Sequence, residues 1–314
     1  MNFEERDGLI CQDIQDLGDG LLPRRLIKEL YWLEARNPRA MDRRISKLCS
    51  GGYLERPSPH QYKSEPIPER FCWLGMKGIL FIAGQAGVHV KKPANNSENQ
   101  MRQLEKRLRA KGIRWLKKPR FRQLKHDIAV IDTRLALQNG LEELPFLTLE
   151  TWIPESAFHT DTDRVAYRVK GADGRVRKMD KGVRPDGYFE VTIEELRARG
   201  EYARAPFLLE YLTPDGFDVV RYGVEKVTAG VAYIKSRAYQ KRFGHNAGRW
   251  LIVSGSKTLR LRNLIRETKK VVGEKDARSF IFTRFDLLCN AHNPITASIW
   301  LTTDSDQPGP LITQ

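Results

Sequence analysis

Two acidic side chains stand where acids are costly. Asp186 follows Pro185 at a strand entrance, and Glu210 interrupts the apolar run Phe207-Leu208-Leu209-Glu210-Tyr211-Leu212. An ionised carboxylate in such a strand is unfavourable unless a cation or a metal ion offsets it. If the two strands are neighbours, Asp186 and Glu210 converge and offer oxygens to a hard divalent ion, Mg2+ or Mn2+. Such an ion organises a water and stabilises charge on a phosphate, which is the chemistry of metal-assisted phosphodiester cleavage. A nearby lysine would steady the attacking water or the pentavalent phosphate. Each residue also has a plainer reading: Pro-Asp-Gly commonly forms a turn, and a lone strand glutamate is commonly an edge or ion-pair residue. Glu150 and Glu155, near Trp152, are weaker candidates to complete a metal site.

The elements that must position these acids can be read from about residue 125 onward. Periodicity predicts a helix over 126–137, a short strand at 147–153, and a hairpin over 161–178 turning at Ala172-Asp173-Gly174. A strand at 183–191, a short helix at 193–199 and the strand at 207–212 follow. Next come a helix over 225–241, a strand at 250–253, a basic helix over 259–272 and a last strand at 279–282. This order predicts an α/β layered domain with a mixed central sheet flanked by helices over 126–300, and a tail at 301–314. Gly255-Ser256-Lys257-Thr258 lacks the glycine-rich lead of a phosphate loop. Gly244 to Gly248 reads as a turn. Arg260, Arg262, Arg266, Lys269 and Lys270 line a helix that is either solvated or an extension of a DNA track.

Charge points to the partner. The chain of 314 residues carries 54 Lys+Arg against 39 Asp+Glu, a formal net charge of +15, and a surplus of that size suits a polyanion. Most of it is local: residues 101–125 hold eleven Lys/Arg against the single acid Glu105, a net of +10. A basic helix over 99–111, with Leu104, Leu108 and Ile113 as its apolar side, leads into an irregular basic segment. Mixed-sign faces are the usual solvated kind; one sign favours phosphate, with affinity falling steeply with salt. Arg102, Lys106, Arg107, Arg109, Lys111, Lys117 and Lys118 are the candidate contacts. The stretch 87–100 reads as a linker, so 89–125 is a linker and basic connector.

No apolar run approaches the ~20 residues that span a bilayer. Four scattered cysteines without a C-x-x-C pair argue against zinc or a disulfide framework, and the acidic start is unlike a signal peptide. The expectation is a cytoplasmic protein with no membrane association.

Residues 9–86 read as helix, helix, helix, hairpin, helix. Gly18-Asp19-Gly20 stops the first helix, Pro23 opens the second, and Pro38 opens a third that ends at Ser50-Gly51-Gly52. Strands at 53–56 and 71–74 flank a Pro- and Ser-containing tip, and 76–83 closes as a helix. The order resembles a winged helix-turn-helix. "RRISKLCSGGYLERP" is similar to a recognition-helix-to-wing passage, and "FCWLGMKGILFIA" to the exit of the wing. The resemblance implies a DNA-binding module over 1–88 whose third helix enters the major groove. Arg39, Arg43, Arg44 and Lys47 are then the residues that share its outer face. A helical subdomain used for protein contacts is the alternative.

Over residues 9–285, "LKHDIAVIDTRLAL", "RPDGYFEV", "FLLEY" and "YGVEKVTAGVAYIKSRAYQKRFGHNAGRWLIVSG", in that order behind a winged helix, resemble the plasmid replication-relaxation family. The resemblance implies a restriction-endonuclease-like domain with a P-D…(D/E)-x-K motif, metal-dependent DNA nicking and a place in plasmid mobilisation. It makes Asp186 the motif aspartate, Glu210 the strand acid and Lys226 the displaced lysine, with His126 and Lys235 as accessory candidates. One departure bears on activity: the position two after the strand acid, where the family has an acid and the nucleases a lysine, is Leu212. The alternative is therefore a non-catalytic DNA-binding accessory or transcriptional regulator on a degenerate nuclease fold. The implied partners are double-stranded DNA and other mobilisation or replication proteins; oligomeric state is unspecified.

Overall fold

Glu4 and Asp7 close a reciprocal cap on the first helix, α1 (Glu5–Asp16), and Asp7 goes on to hold a second element. Its buried carboxylate accepts from Glu4 N at 2.8 Å and from Arg44 Nε at 2.8 Å. The computed structural model describes residues 2–34, 37, 39–88, 98–170, 175–214 and 218–312. It is a mixed α+β protein that divides into two units, Met1–Ile131 and Asp132–Gln314.

In the N-terminal unit α1 is followed by β1 (Leu21–Pro23), α2 (Arg24–Tyr31), α3 (Ala40–Ser50) and β2 (Leu54–Glu55). Then come α4 (Pro59–Ser64), β3 (Phe71–Leu74), α5 (Met76–Gln85) and α6 (Glu98–Ala110). The strands form an antiparallel sheet of order β1-β3-β2. Ile10 and Ile14 of α1, Leu26 and Ile27 of α2, and Ile45 and Leu48 of α3 are buried, in line with the apolar spacing. Two details differ from the sequence reading. A strand of three residues, β1, precedes α2, too short for a period-2 pattern to reveal. The tip between β2 and β3 holds α4, because Ser58 and Gln61 cap it reciprocally behind Pro59. Pro38 and most of the expected linker, residues 89–97, lie outside the described residues.

α6 buries Leu104 and Leu108 as expected, and Ile113 follows them. Arg114 Nη1 donates to the Asp19 carbonyl and carboxylate, both at 2.7 Å, at a turn where Asp19 and Gly20 adopt positive φ. The basic segment is thereby fastened to the end of α1, and residues 98–125 belong with the N-terminal unit rather than forming a separate connector. α7 (Leu124–Glu142) carries the chain across the division.

The C-terminal unit continues with β4 (Leu147–Pro154), α8 (Glu155–Thr160), β5 (Asp163–Lys170), β6 (Val176–Val183), β7 (Gly187–Ile193) and α9 (Glu194–Ala198). β8 (Arg204–Leu212) and α10 (Val219–Tyr222) precede a π-helical turn, Gly223–Val227. The chain then forms α11 (Thr228–Ile234), α12 (Arg237–Phe243), β9 (Arg249–Ser254), α13 (Thr258–Ala277), β10 (Phe280–Arg284), α14 (Phe285–Asn290) and β11 (Leu301–Thr302). Six strands form one mixed sheet, order β11-β10-β9-β8-β7-β4, with β8, β9 and β10 parallel and the outer pairings antiparallel. Leu208, Ile252, Phe280 and Phe282 from the strands bury against Tyr222, Val227 and Tyr233 from the helices. Each such side chain is worth about 1.5–3 kcal/mol of transfer free energy.

The expected hairpin exists, with Lys170 paired to Val176, though its turn residues 172–174 are outside the described residues. It stands apart as a two-stranded sheet because β6 is exposed over most of its length and has no apolar face to offer the main one. The expected helix over 225–241 is broken at Ser236, whose hydroxyl accepts from Tyr239 N at 3.1 Å and starts α12. The expected tail is also corrected: β11 pairs with β10, and buried Trp300 donates Nε1–H to Pro294 O at 2.6 Å. β4 carries a register shift between Leu149 and Thr151 in its pairing with β7.

Candidate functional site

Three strand ends meet at one edge of the main sheet. β7 is antiparallel to both neighbours, with Gly187 opposite Pro154 of β4 and opposite Leu209 of β8. That register brings Glu155, Asp186 and Glu210 to the same end. Asp186 N–H donates to Leu209 O at 2.9 Å, and Asp186 Oδ2 accepts from Tyr211 N at 2.6 Å. The backbone on either side of Glu210 therefore fixes Asp186, and both acids are buried, at 7% and 6% exposure. Carboxylate oxygens of Glu155 and Asp186 lie within 4.8 Å of each other. Glu155 Oε1 is also 2.7 Å from His159 Nε2.

Lys226 Nζ lies 2.7 Å from Glu210 Oε1, with 47% of the lysine side chain exposed against 9% of the glutamate. It is carried by the π-helical turn, a local insertion of a kind frequent at functional sites. Gly223 begins that turn against α13, where a Cβ would come within 2.9 Å of Glu267 Cγ. Glu210 holds the ammonium above its ordinary range; burial opposes this, and Asp186 and Glu155 reinforce it. Tyr222 is pushed well up by burial and then by Glu210 and Asp186, so its phenol stays neutral. A cavity of about 150 Å³ adjoins Glu210 and Lys226, with Tyr222, Trp250 and Phe280 among its walls. The Trp250 indole N–H has no hydrogen-bond partner among the described residues.

The structure thus brings together Asp186, Glu210 and Lys226, and adds Glu155, which the sequence marked only weakly. The missed signal was the parallel between Pro154-Glu155 and Pro185-Asp186, two proline-acid pairs at adjoining strand ends. Glu150 is elsewhere, paired with Arg197 at 3.3 Å. Lys235 is not at this site: its Nζ lies 2.6 Å from Asp276, because nine residues of helical rise carry it roughly 13 Å from Lys226. Leu212 is buried in the core with Leu208 and Ile252, so no charged group occupies its position. His126 belongs to the N-terminal unit, in the first turn of α7, with Nδ1 3.4 Å from Asp127 Oδ1.

In the N-terminal unit Arg39, Arg43 and Lys47 are exposed on or beside α3. Arg44 is not on that outer face. It turns inward to pair with Asp7 and with Glu4 at 2.9 Å, which holds its guanidinium above its ordinary range, Asp7 chief among the causes. Arg102, Lys106, Arg107, Arg109, Lys111, Lys117 and Lys118 are all exposed. Lys117 also pairs with Glu105 and lies over the Trp115 ring.

Carboxylate oxygens are the donors that Mg2+ and Mn2+ prefer, and the Glu155 and Asp186 oxygens lie close enough together to share one such ion. No helix among the described residues is long and apolar enough to cross a membrane. No protein-family model matches the chain, and no curated protein matches it.

Proposed function

We propose that this is a cytoplasmic DNA-binding protein of the replication-relaxation type that nicks DNA with a divalent metal ion. The convergence of Asp186, Glu210 and Lys226 at one end of the sheet carries the reading. Asp186, Glu210 and Glu155 would hold Mg2+ or Mn2+, which when bound supplies an activated water and charge stabilisation on phosphate. Tyr211 N–H keeps Asp186 oriented. Lys226 keeps a positive charge against Glu210 and, being about half exposed, can turn to a phosphate oxygen.

The helix and strand order of the N-terminal unit, with a three-stranded sheet β1-β3-β2, supports a winged helix-turn-helix that sets α3 against duplex DNA. Arg39, Arg43 and Lys47 would meet the groove, and the exposed cations of α6 and the segment after it the phosphates. Other mobilisation or replication proteins are the implied partners. A second reading rests on Leu212: with a core leucine where the nuclease lysine would stand, the second unit serves as a non-catalytic DNA-binding platform.

Incubation of supercoiled plasmid with Mg2+ or Mn2+ separates the two. Nicking by the wild type, lost in Asp186→Ala and Glu210→Ala, is the expected result. Intact DNA binding with no nicking under either metal would leave the platform reading.

A further inference from the structure

A second constellation lies around β7, and its members are distant in sequence. Buried Glu190 Oε2 accepts from Tyr188 Oη at 3.0 Å and lies 2.5 Å from His245 Nε2. His245, 5% exposed, places Nδ1 2.9 Å from Tyr202 Oη. Tyr202 itself is 65% exposed. With Nε2–H donating to the glutamate, Nδ1 is left to accept the tyrosine proton. Glu190 Oε1 is occupied by Arg204 Nη1 at 3.2 Å, and the Arg204 side chain is 58% exposed.

A nucleophile within hydrogen-bond reach of a base, and the base oriented by a third group, is the geometric signature of an activated hydroxyl. Here the two supporting groups are buried and the hydroxyl-bearing residue faces solvent beside a guanidinium.

We propose that Tyr202 is a nucleophile for phosphate esters, with His245 as its general base, Glu190 as the positioning residue and Arg204 as the anion-binding group. Tyr202 Oη attacks phosphorus as His245 Nδ1 takes its proton. The bond from phosphorus to the leaving oxygen breaks on the opposite side, and that oxygen takes its proton from water. The products are an O-phosphotyrosyl enzyme and an alcohol, and the same path reversed restores the ester. Neither metal nor redox partner enters the step, which is independent of the carboxylate cluster at Asp186.

The test uses the full chain with bis(4-nitrophenyl) phosphate in EDTA. Intact mass and peptide mapping should show one aryl phosphate adduct on Tyr202, formed with release of one equivalent of 4-nitrophenolate. Tyr202→Phe, a change at an exposed position, should abolish the adduct. His245→Gln should slow its formation by about 10²–10⁴-fold, the usual worth of a general base. Glu190→Gln should slow it too, and the thermal midpoint of each variant distinguishes a positioning loss from unfolding. No adduct on the wild type, labelling spread over other exposed tyrosines, or an unchanged rate in folded His245→Gln would each overturn the proposal.

Discussion

Replacing Lys226 with methionine isolates the electrostatics of the carboxylate cluster. The substitution keeps the aliphatic stem and removes the ammonium 2.7 Å from Glu210 Oε1. Exposed ion pairs are worth about 0.2–1 kcal/mol, whereas removing one partner of a buried pair costs about 3–5 kcal/mol. A glutamate 9% exposed facing a lysine 47% exposed falls between these limits, so Lys226→Met should cost about 1–2 kcal/mol. In a domain of this size that lowers Tm by about 2–8 °C. A divalent ion at about 100 times its Kd adds about 2.7 kcal/mol, enough to offset the loss. The assay is thermal unfolding with and without Mn2+. Lys226→Met should begin lower than wild type and gain more from the metal, since no ammonium competes for Glu210. An unchanged metal-free Tm would refute the pairing argument. A Mn2+ response no larger than that of the double variant Lys226→Met with Glu210→Gln would refute the ligand assignment.

Arg43→Glu should weaken DNA binding with little change in stability, whereas Arg44→Ala should cost about 3 kcal/mol in urea unfolding, because it deserts the buried Asp7 carboxylate. Neutralising Arg102, Lys106, Arg107 and Arg109 should weaken binding to every duplex and flatten the plot of log affinity against log salt by about 0.9 for each phosphate no longer neutralised. Equal slopes for the two proteins would remove these residues from the interface. The Cys11 thiol is raised from 9.0 to about 12, first by burial and then by Asp7. The folded state therefore holds a proton that the unfolded chain gives up above pH 9, and stability present below pH 9 should fall towards pH 12. The slope from this group is at most about 1.4 kcal/mol per pH unit, and Cys11→Ala should remove that share of the alkaline loss in urea midpoints.

Local pattern revealed what local physics determines. Glycines end α1 and α3, apolar spacing faces Ile10, Ile14, Ile45 and Leu48 inward, and Asp186 and Glu210 stood out because acids are rare in such strands. What the pattern could not show depends on pairing between distant segments. Glu155 reaches Asp186 only through the register of β4 with β7. His245 reaches Glu190 across 55 residues, and neither the strand nor the loop announces the other. Arg44 looked like its neighbours on α3 because nothing in a helix face shows that a buried acid from α1 waits behind it. Lys235 looked equivalent to Lys226 because both fall in one predicted helix, and the pattern did not show that Asp276, 41 residues on, takes Lys235.

The irregularity in β4 has an effect out of proportion to its size. Side chains alternate between the two faces of a strand, and one extra residue reverses that alternation for everything beyond it. Downstream of the shift, Trp152 stacks on Phe189 with ring centroids 5.2 Å apart, and Glu155 follows at the strand's end. Deleting a residue beyond the shift, at Ile153, would move Glu155 one position along the ladder and withdraw it from Asp186, although neither acid had been altered. The spacing of a strand at the rim of the sheet thus decides how many carboxylates the protein can gather in one place.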